Sequence, residues 1–157
     1  MYPPIFEVCK ADAAVLALLG SNPLRFYPFG EAPQKVAKPY VVWQQVGGAP
    51  ENYLAGRPDI DAYTLQVDVY ADSAASARAV AEAIRNAIEL RAYIVAWRGE
   101  SRDPETKNYR SSFDVDWFVH RQLIPNQPAP CGFFSCQKPA SGERHVCIDP
   151  RHADLLH

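Results

Sequence analysis

Five side chains of zinc-binding type lie close together near the C-terminus: Cys131, Cys136, His145, Cys147 and His152. A structural zinc site needs four converging ligands, and common modules supply them in paired spacings. Cys-x4-Cys followed by His-x-Cys is not one of those arrangements. The expected cofactor content is therefore none, with Cys131, Cys136, His145 and Cys147 as the candidate ligands should the segment bind metal. A cysteine beside His145 or His120 is the other arrangement that chemistry could use. No nucleophile elbow or oxyanion-hole signature stands near it, so no catalytic residue is expected. Gly47-Gly48 ends a strand pattern without the helix that would aim amide groups at a phosphate, so nucleotide binding is not expected either. Trp43, Trp97 and Trp117 lie in strand patterns with few basic neighbours, which fits core or interface aromatics better than stacking platforms for single strands.

The elements that would have to position these groups occupy the first 120 residues. Beyond His120 the last 37 residues hold three of the four cysteines, three of the four histidines and five of the 14 prolines, without sustained periodicity. The expected organisation is a folded domain over 1–120, ending near Val119, and an extension over 121–157 that is either disordered or docked on a neighbour through Phe133, Phe134, Leu155 and Leu156. The full chain of 157 residues suits one core. Sixteen basic against 18 acidic residues leave a net charge of -2, without the excess that drives nucleic-acid binding. No stretch approaches the roughly 20 apolar residues of a membrane span. The N-terminus lacks the pattern of a signal peptide, so reduced thiols are expected.

Pro3 and Pro4 precede Ile5, Val8 and Cys9 at helical spacing, Asp12 can cap a second turn set carrying Val15, Leu16 and Leu19, and Gly20 stops it. A broken N-terminal helix is predicted, with Cys9 as a small buried residue. Leu24 to Lys38, rich in Pro, Gly and aromatics, reads as an irregular connection. Tyr40 to Val46 and Ala62 to Tyr70 read as strands of a hairpin. In the second, Tyr63, Leu65, Val67 and Val69 alternate with Thr64, Gln66, Asp68 and Tyr70, predicting one buried and one wet face. Asp72 or Ser73 caps a helix whose stripe, Ala77, Val80, Ala81, Ile84, Ala87 and Ile88, should lie on the sheet. Tyr93 to Trp97 and Tyr109 to Val119 form another strand pair around an Asp103–Asn108 turn, with Phe113, Val115, Trp117 and Val119 inward. The fold class is α+β: a four-stranded, mainly antiparallel sheet, helices on one face, in the order α-β-β-α-β-β.

Several phrases occur in an order that resembles a known family. They are Phe26-Tyr27-Pro28-Phe29-Gly30-Glu31-Ala32-Pro33, Pro39-Tyr40-Val41-Val42-Trp43-Gln44, Arg57-Pro58-Asp59-Ile60-Asp61, Leu65-Gln66-Val67-Asp68-Val69-Tyr70, Gly99-Glu100-Ser101-Arg102-Asp103-Pro104 and Ser112-Phe113-Asp114-Val115-Asp116-Trp117. Over residues 1–120 the chain resembles the siphophage tail terminator, or tail-completion, proteins. The resemblance implies a structural virion protein of the tail and neck, assembled in the host cytoplasm and without catalysis. It implies a ring, of six copies, on the head-proximal end of the tail tube, which ends tube polymerisation and joins tail to head. The implied partners are the chain itself, the tail tube protein and the head-tail connector or neck proteins. DNA passes through the lumen without specific binding, and no membrane is involved. The extension departs from the family, whose members stop soon after Asp114-Val115-Asp116-Trp117.

Within that frame the Gly47 to Asp61 loop is longer than a plain hairpin needs, and Gly47, Gly48, Glu51, Asn52, Tyr53, Arg57 and Asp59 are the expected tube or neck contacts. Its composition suits disorder in the free monomer and ordering on binding. Arg98, Glu100, Arg102 and Asp103 are candidates for salt bridges between subunits. Asp68, Asp114 and Asp116, opposite the apolar strand positions, would repel passing DNA if their face lined the lumen. A zinc-stabilised binding module built on the extension, or another neck or connector ring subunit, are the competing readings.

Overall fold

A computed structural model describes residues 2–54 and 56–121. Cys131, Cys136, His145 and Cys147, with the extension that carries them, lie outside the described residues. The chain forms α1 (Ile5–Ala11), α2 (Ala13–Leu19), β1 (Phe26–Pro28), β2 (Tyr40–Pro50), β3 (Ile60–Ala71), α3 (Ala74–Ile88), β4 (Tyr93–Arg102) and β5 (Tyr109–His120). The N-terminal helix breaks at Asp12, as its sequence predicts. The Asp12 backbone is extended and its carboxylate accepts from Val15 N at 3.0 Å, so it ends α1 and caps α2 at once. Gly20 closes α2 at φ +80°, a conformation that L side chains rarely adopt. Ser73, rather than Asp72, caps α3 by accepting from Ser76 N. Asp72 instead pairs with Lys38.

The sheet has five strands, in the order β1-β2-β3-β5-β4, where four were expected. The addition is β1, inside the segment read as irregular: Phe26, Tyr27 and Pro28 pair in parallel with Val41, Val42 and Trp43. Three residues between prolines and glycines carry no readable alternation. What orders them is Arg25, which donates to Pro39 O at 2.8 Å and to Leu18 O at 3.0 Å, tying the exit of α2 to the entry of β2. The other pairs are antiparallel. Strands run beyond their sequence-derived limits, because a hairpin ladder continues through polar residues whenever the backbone pairs are available.

The core lies between the three helices and one sheet face. Ile5, Cys9, Val15, Leu19, Val80, Ile84 and Ile88 meet Leu65, Val67, Val69, Phe113 and Val115, all fully or almost fully buried. Burial, reinforced by Asp12, pushes the Cys9 thiol up to about 12, so it behaves as a small apolar residue. The opposite sheet face is less wet than its alternation predicts. Asp68 is 7% exposed and Asp114 4%, because long neighbouring side chains fold across them.

Candidate assembly site

No group of three or more His, Cys, Asp or Glu side chains among the described residues could hold a metal ion. What stands out instead is the pair of sheet margins and the connection that projects from one of them.

β4 pairs only with β5, so its outer side has no strand partner among the described residues. On the opposite margin β1 covers β2 only as far as Trp43, leaving Gln44–Pro50 without an outer strand among the described residues. Register places Gln44–Gly47 of the first level with Tyr93–Ala96 of the second, while Trp97 is level with Trp43. Gln45 is opposite Leu65, Leu65 opposite Val115 and Val115 opposite Ile94; the next row runs Gly47, Thr64, Asp116, Tyr93. The two margins also run antiparallel, since three antiparallel pairings separate β2 from β4. Both carry exposed apolar side chains: Tyr93, Val95 and Trp97 on β4, with Leu90 and Phe118 nearby, and Val46, Tyr53 and Leu54 on the β2 side. Trp97 rests against Phe113 at 5.3 Å between centroids, yet more than half of it faces solvent. Of the three tryptophans only Trp117 is a core residue by burial.

The expected Gly47–Asp61 loop is shorter than the sequence implies. Gly47 and Gly48 belong to β2, and the connection is 51–59. Gly48 sits at φ +148° with Ala62 O where a Cβ would come within 2.6 Å, so it is there for close backbone approach. Glu51, Asn52, Tyr53 and Arg57 are exposed on the connection, and Leu54 is fully exposed beside the Tyr53–Gly56 bridge. The Asp59 carboxylate hydrogen-bonds the Tyr53 phenol and pushes its pKa up. Arg121 holds the base: its amide donates to Asp59 O and its guanidinium donates to both oxygens of Asp61, at 2.8 and 2.6 Å. That fork keeps the Asp61 carboxyl below its usual range. Sequence pattern does not single out Arg121, because it stands one residue beyond the expected domain end.

The candidate interface charges are engaged within the chain. Arg98 donates to Asp114 at 2.7 Å, and Glu100 accepts two bonds from Arg78, also at 2.7 Å. The Arg102 guanidinium lies over the Tyr109 ring at 5.1 Å. Asp103 accepts from the amides of Glu105 and Thr106, which lowers its pKa and fixes the turn.

The three aspartates share one polar sheet face, each with its own partners. Asp68 accepts from Arg110 at 2.8 Å, from Ser112 Oγ at 2.5 Å and from Gln66 Nε2 at 3.2 Å. Asp116 accepts from Thr64 Oγ1 at 2.7 Å. Asp114 spends one oxygen on Arg98, while its Oδ1 is buried without a hydrogen-bond partner. Arginines pair with Asp68 and Asp114 on this face but not with Asp116, which the alternation of strand residues alone does not show.

Comparison with known proteins bears on the fold and on the family. A chain from a structure described as the virion of native gene transfer agent (GTA) particle has the same fold, with a TM-score of 0.60 and 18% identity over 74% of this chain and 92% of that one. No curated protein matches the sequence. Residues 3–120 match the family described as Tail completion protein gp17, and since they make up most of the chain, the protein belongs to that tail-completion family.

Proposed function

We propose that this protein is a non-enzymatic tail terminator. Copies close into a ring of six on the head-proximal end of a phage tail tube, end tube polymerisation and present the opposite face to the neck. As a member of a tail-completion family, the chain is a structural component of the virion tail. The observation that carries the finer reading is the pair of bare, apolar strand margins on opposite sides of one sheet. Exposed strand edges invite association, and head-to-tail contacts that close into a ring leave none free. The domain is taken as residues 1–120, extended by Arg121, with the rest as an appendage.

In this reading the 51–59 connection, with Glu51, Asn52, Tyr53, Arg57 and Asp59, meets the tube or neck. The face of Asp68, Asp114 and Asp116 turns towards the lumen, where the partly exposed Arg98 and Arg110 are already paired with carboxylates and so offer DNA little free positive charge. Light scattering on the purified protein, alone and mixed with tail tubes, tests the proposal. A ring-sized species, or a monomer that joins tube ends only, is expected. A monomer indifferent to tubes overturns it. Replacing Arg57 and Asp59 by Ala should leave the monomer folded and lengthen or decapitate tails; normal tail lengths and phage yield would remove the connection from the contact.

A further inference from the structure

The two bare margins are not merely both exposed: they are complementary halves of one strand pairing. The free stretch of β2, Gln44-Gln45-Val46-Gly47-Gly48-Ala49-Pro50, contains no charged residue, and neither does Tyr93-Ile94-Val95-Ala96-Trp97 at the start of β4. Natural edge strands are commonly guarded by lysine or other charges against pairing with another chain. Here the guard begins only at Arg98, beyond the level that Gln44–Pro50 occupies on the other side. Each stretch is also bulged at a valine: Val46 is the extra residue between Gln45 and Gly47, and Val95 the extra residue between Ile94 and Ala96. Both valines are about half exposed, at 45% and 51%.

We propose that Tyr93–Ala96 of one copy adds to Gln44–Gly47 of the next as an antiparallel continuation of the sheet, with Trp97 and Gly48–Pro50 flanking the paired rows. Placing two copies side by side in the same orientation brings β4 beside β2 with opposite chain direction and sets Tyr93–Ala96 level with Gln44–Gly47, the arrangement that antiparallel ladders require. The contact is heterologous, so each copy gives one margin and receives the other. Strand addition supplies main-chain hydrogen bonds, while Val46, Tyr93, Val95 and Trp97 supply the apolar contact. The bulges bend both strands and confine pairing to that short stretch. A second copy is the occupant because one repeated operation uses both margins at once, which no single unrelated strand does. The assignment rests on the ring reading above and names its subunit contact.

The test uses the full chain with Val46→Asp, Val95→Lys and the two combined, sized by light scattering with and without tail tubes. Each single change places one unpaired charge in the contact and should weaken assembly about tenfold or more. The combined variant, whose two charges lie on opposite margins of one chain and meet only between copies, should regain ring formation. Retained assembly in the single variants, or loss without recovery in the combination, overturns the strand-pairing assignment and leaves a ring formed by the wild type standing. Wild-type protein that forms no ring, free or on tube ends, overturns the functional reading itself. Hydrogen exchange on unaltered protein gives a readout independent of any variant's folding: amides of 44–47 and 93–96 should slow about tenfold in the ring relative to the diluted monomer, and unchanged exchange there overturns the assignment.

Discussion

The middle of the sheet and its margins are built from similar sequence and meet different fates. β3 alternates apolar and polar residues from Tyr63 to Tyr70 and β5 from Ser112 to Trp117, and both sets end up used: Leu65, Val67, Val69, Phe113 and Val115 in the core, Asp68 bonded to Ser112 and Asp114 to Arg98 on the other face. β4 alternates less clearly and leaves Tyr93, Val95 and Trp97 in solvent. Position in the strand order accounts for the contrast. A central strand has neighbours whose long side chains fold over it, whereas an edge strand keeps one side of its backbone and much of its side-chain surface for another partner. Exposed apolar residues at the margin are thus the ones to read as contacts, and charged residues in the middle the ones to read as structure.

The comparison breaks first in the core. Phe113→Ala removes a fully buried ring contributed by β5 and should cost about 3–5 kcal/mol, read as a lower denaturation midpoint with an unchanged slope. Trp97→Ala, on the margin, should leave the monomer's midpoint within roughly 1 kcal/mol while impairing assembly. Equal losses from the two substitutions would erase the distinction between centre and edge.

The polar network comes next. Asp68→Ala strands Arg110, Ser112 and Gln66 around a vacated carboxylate and should cost about 1–3 kcal/mol, less than for a fully buried pair because the Arg110 side chain is 39% exposed. Asp68→Asn keeps some of the hydrogen bonds and should fall between that and the wild type. A neutral Asp68→Ala would mean that this face is as wet as its alternation suggests. Gly48→Ala sharpens the margin instead: the added Cβ meets Ala62 O, so it should disturb the end of the β2–β3 ladder and lower both stability and assembly, seen as faster exchange of the amides around Ala62.

Much of this architecture is legible in the sequence alone. Asp12 and Gly20 announce a broken helix because capping and left-handed backbone are local chemistry, and the α3 stripe announces its buried face for the same reason. β1 is not legible: three residues ordered by Arg25 reaching two distant carbonyls leave no pattern in sequence. Nor are the pairs Arg98–Asp114 and Arg110–Asp68, since strand partners, and so cross-strand charges, follow from register. Sequence alone does not show the partners that Arg98 and Glu100 have inside the chain, and the apolar edge beside them passes as ordinary strand. Sequence shows which residues a contact could use, and strand order shows which of them are already spoken for.

The smallest effect is expected at the base of the connection, where Arg121 forks onto Asp61 at the surface. Folding lowers the Asp61 pKa, so the carboxylate contributes stability at neutral pH and above its unfolded value, and that contribution is lost as pH falls through the lowered folded value. Asp61→Asn should therefore remove a small part of the acid dependence of stability and little else, because the pair is solvent-screened. The Arg121 amide bond to Asp59 O does not depend on that charge, so the 51–59 connection should keep its anchored base in the variant. Unfolding midpoints of wild type and Asp61→Asn, followed from pH 7 down to about pH 3, should converge as acid protonates Asp61. A constant gap across that range would assign the contribution of Asp61 to hydrogen-bond geometry rather than to its charge. It would also place the hold on the connection in the backbone bond at Asp59, leaving the surface ion pair as a consequence of the strand register that brings Asp61 beside the end of β5.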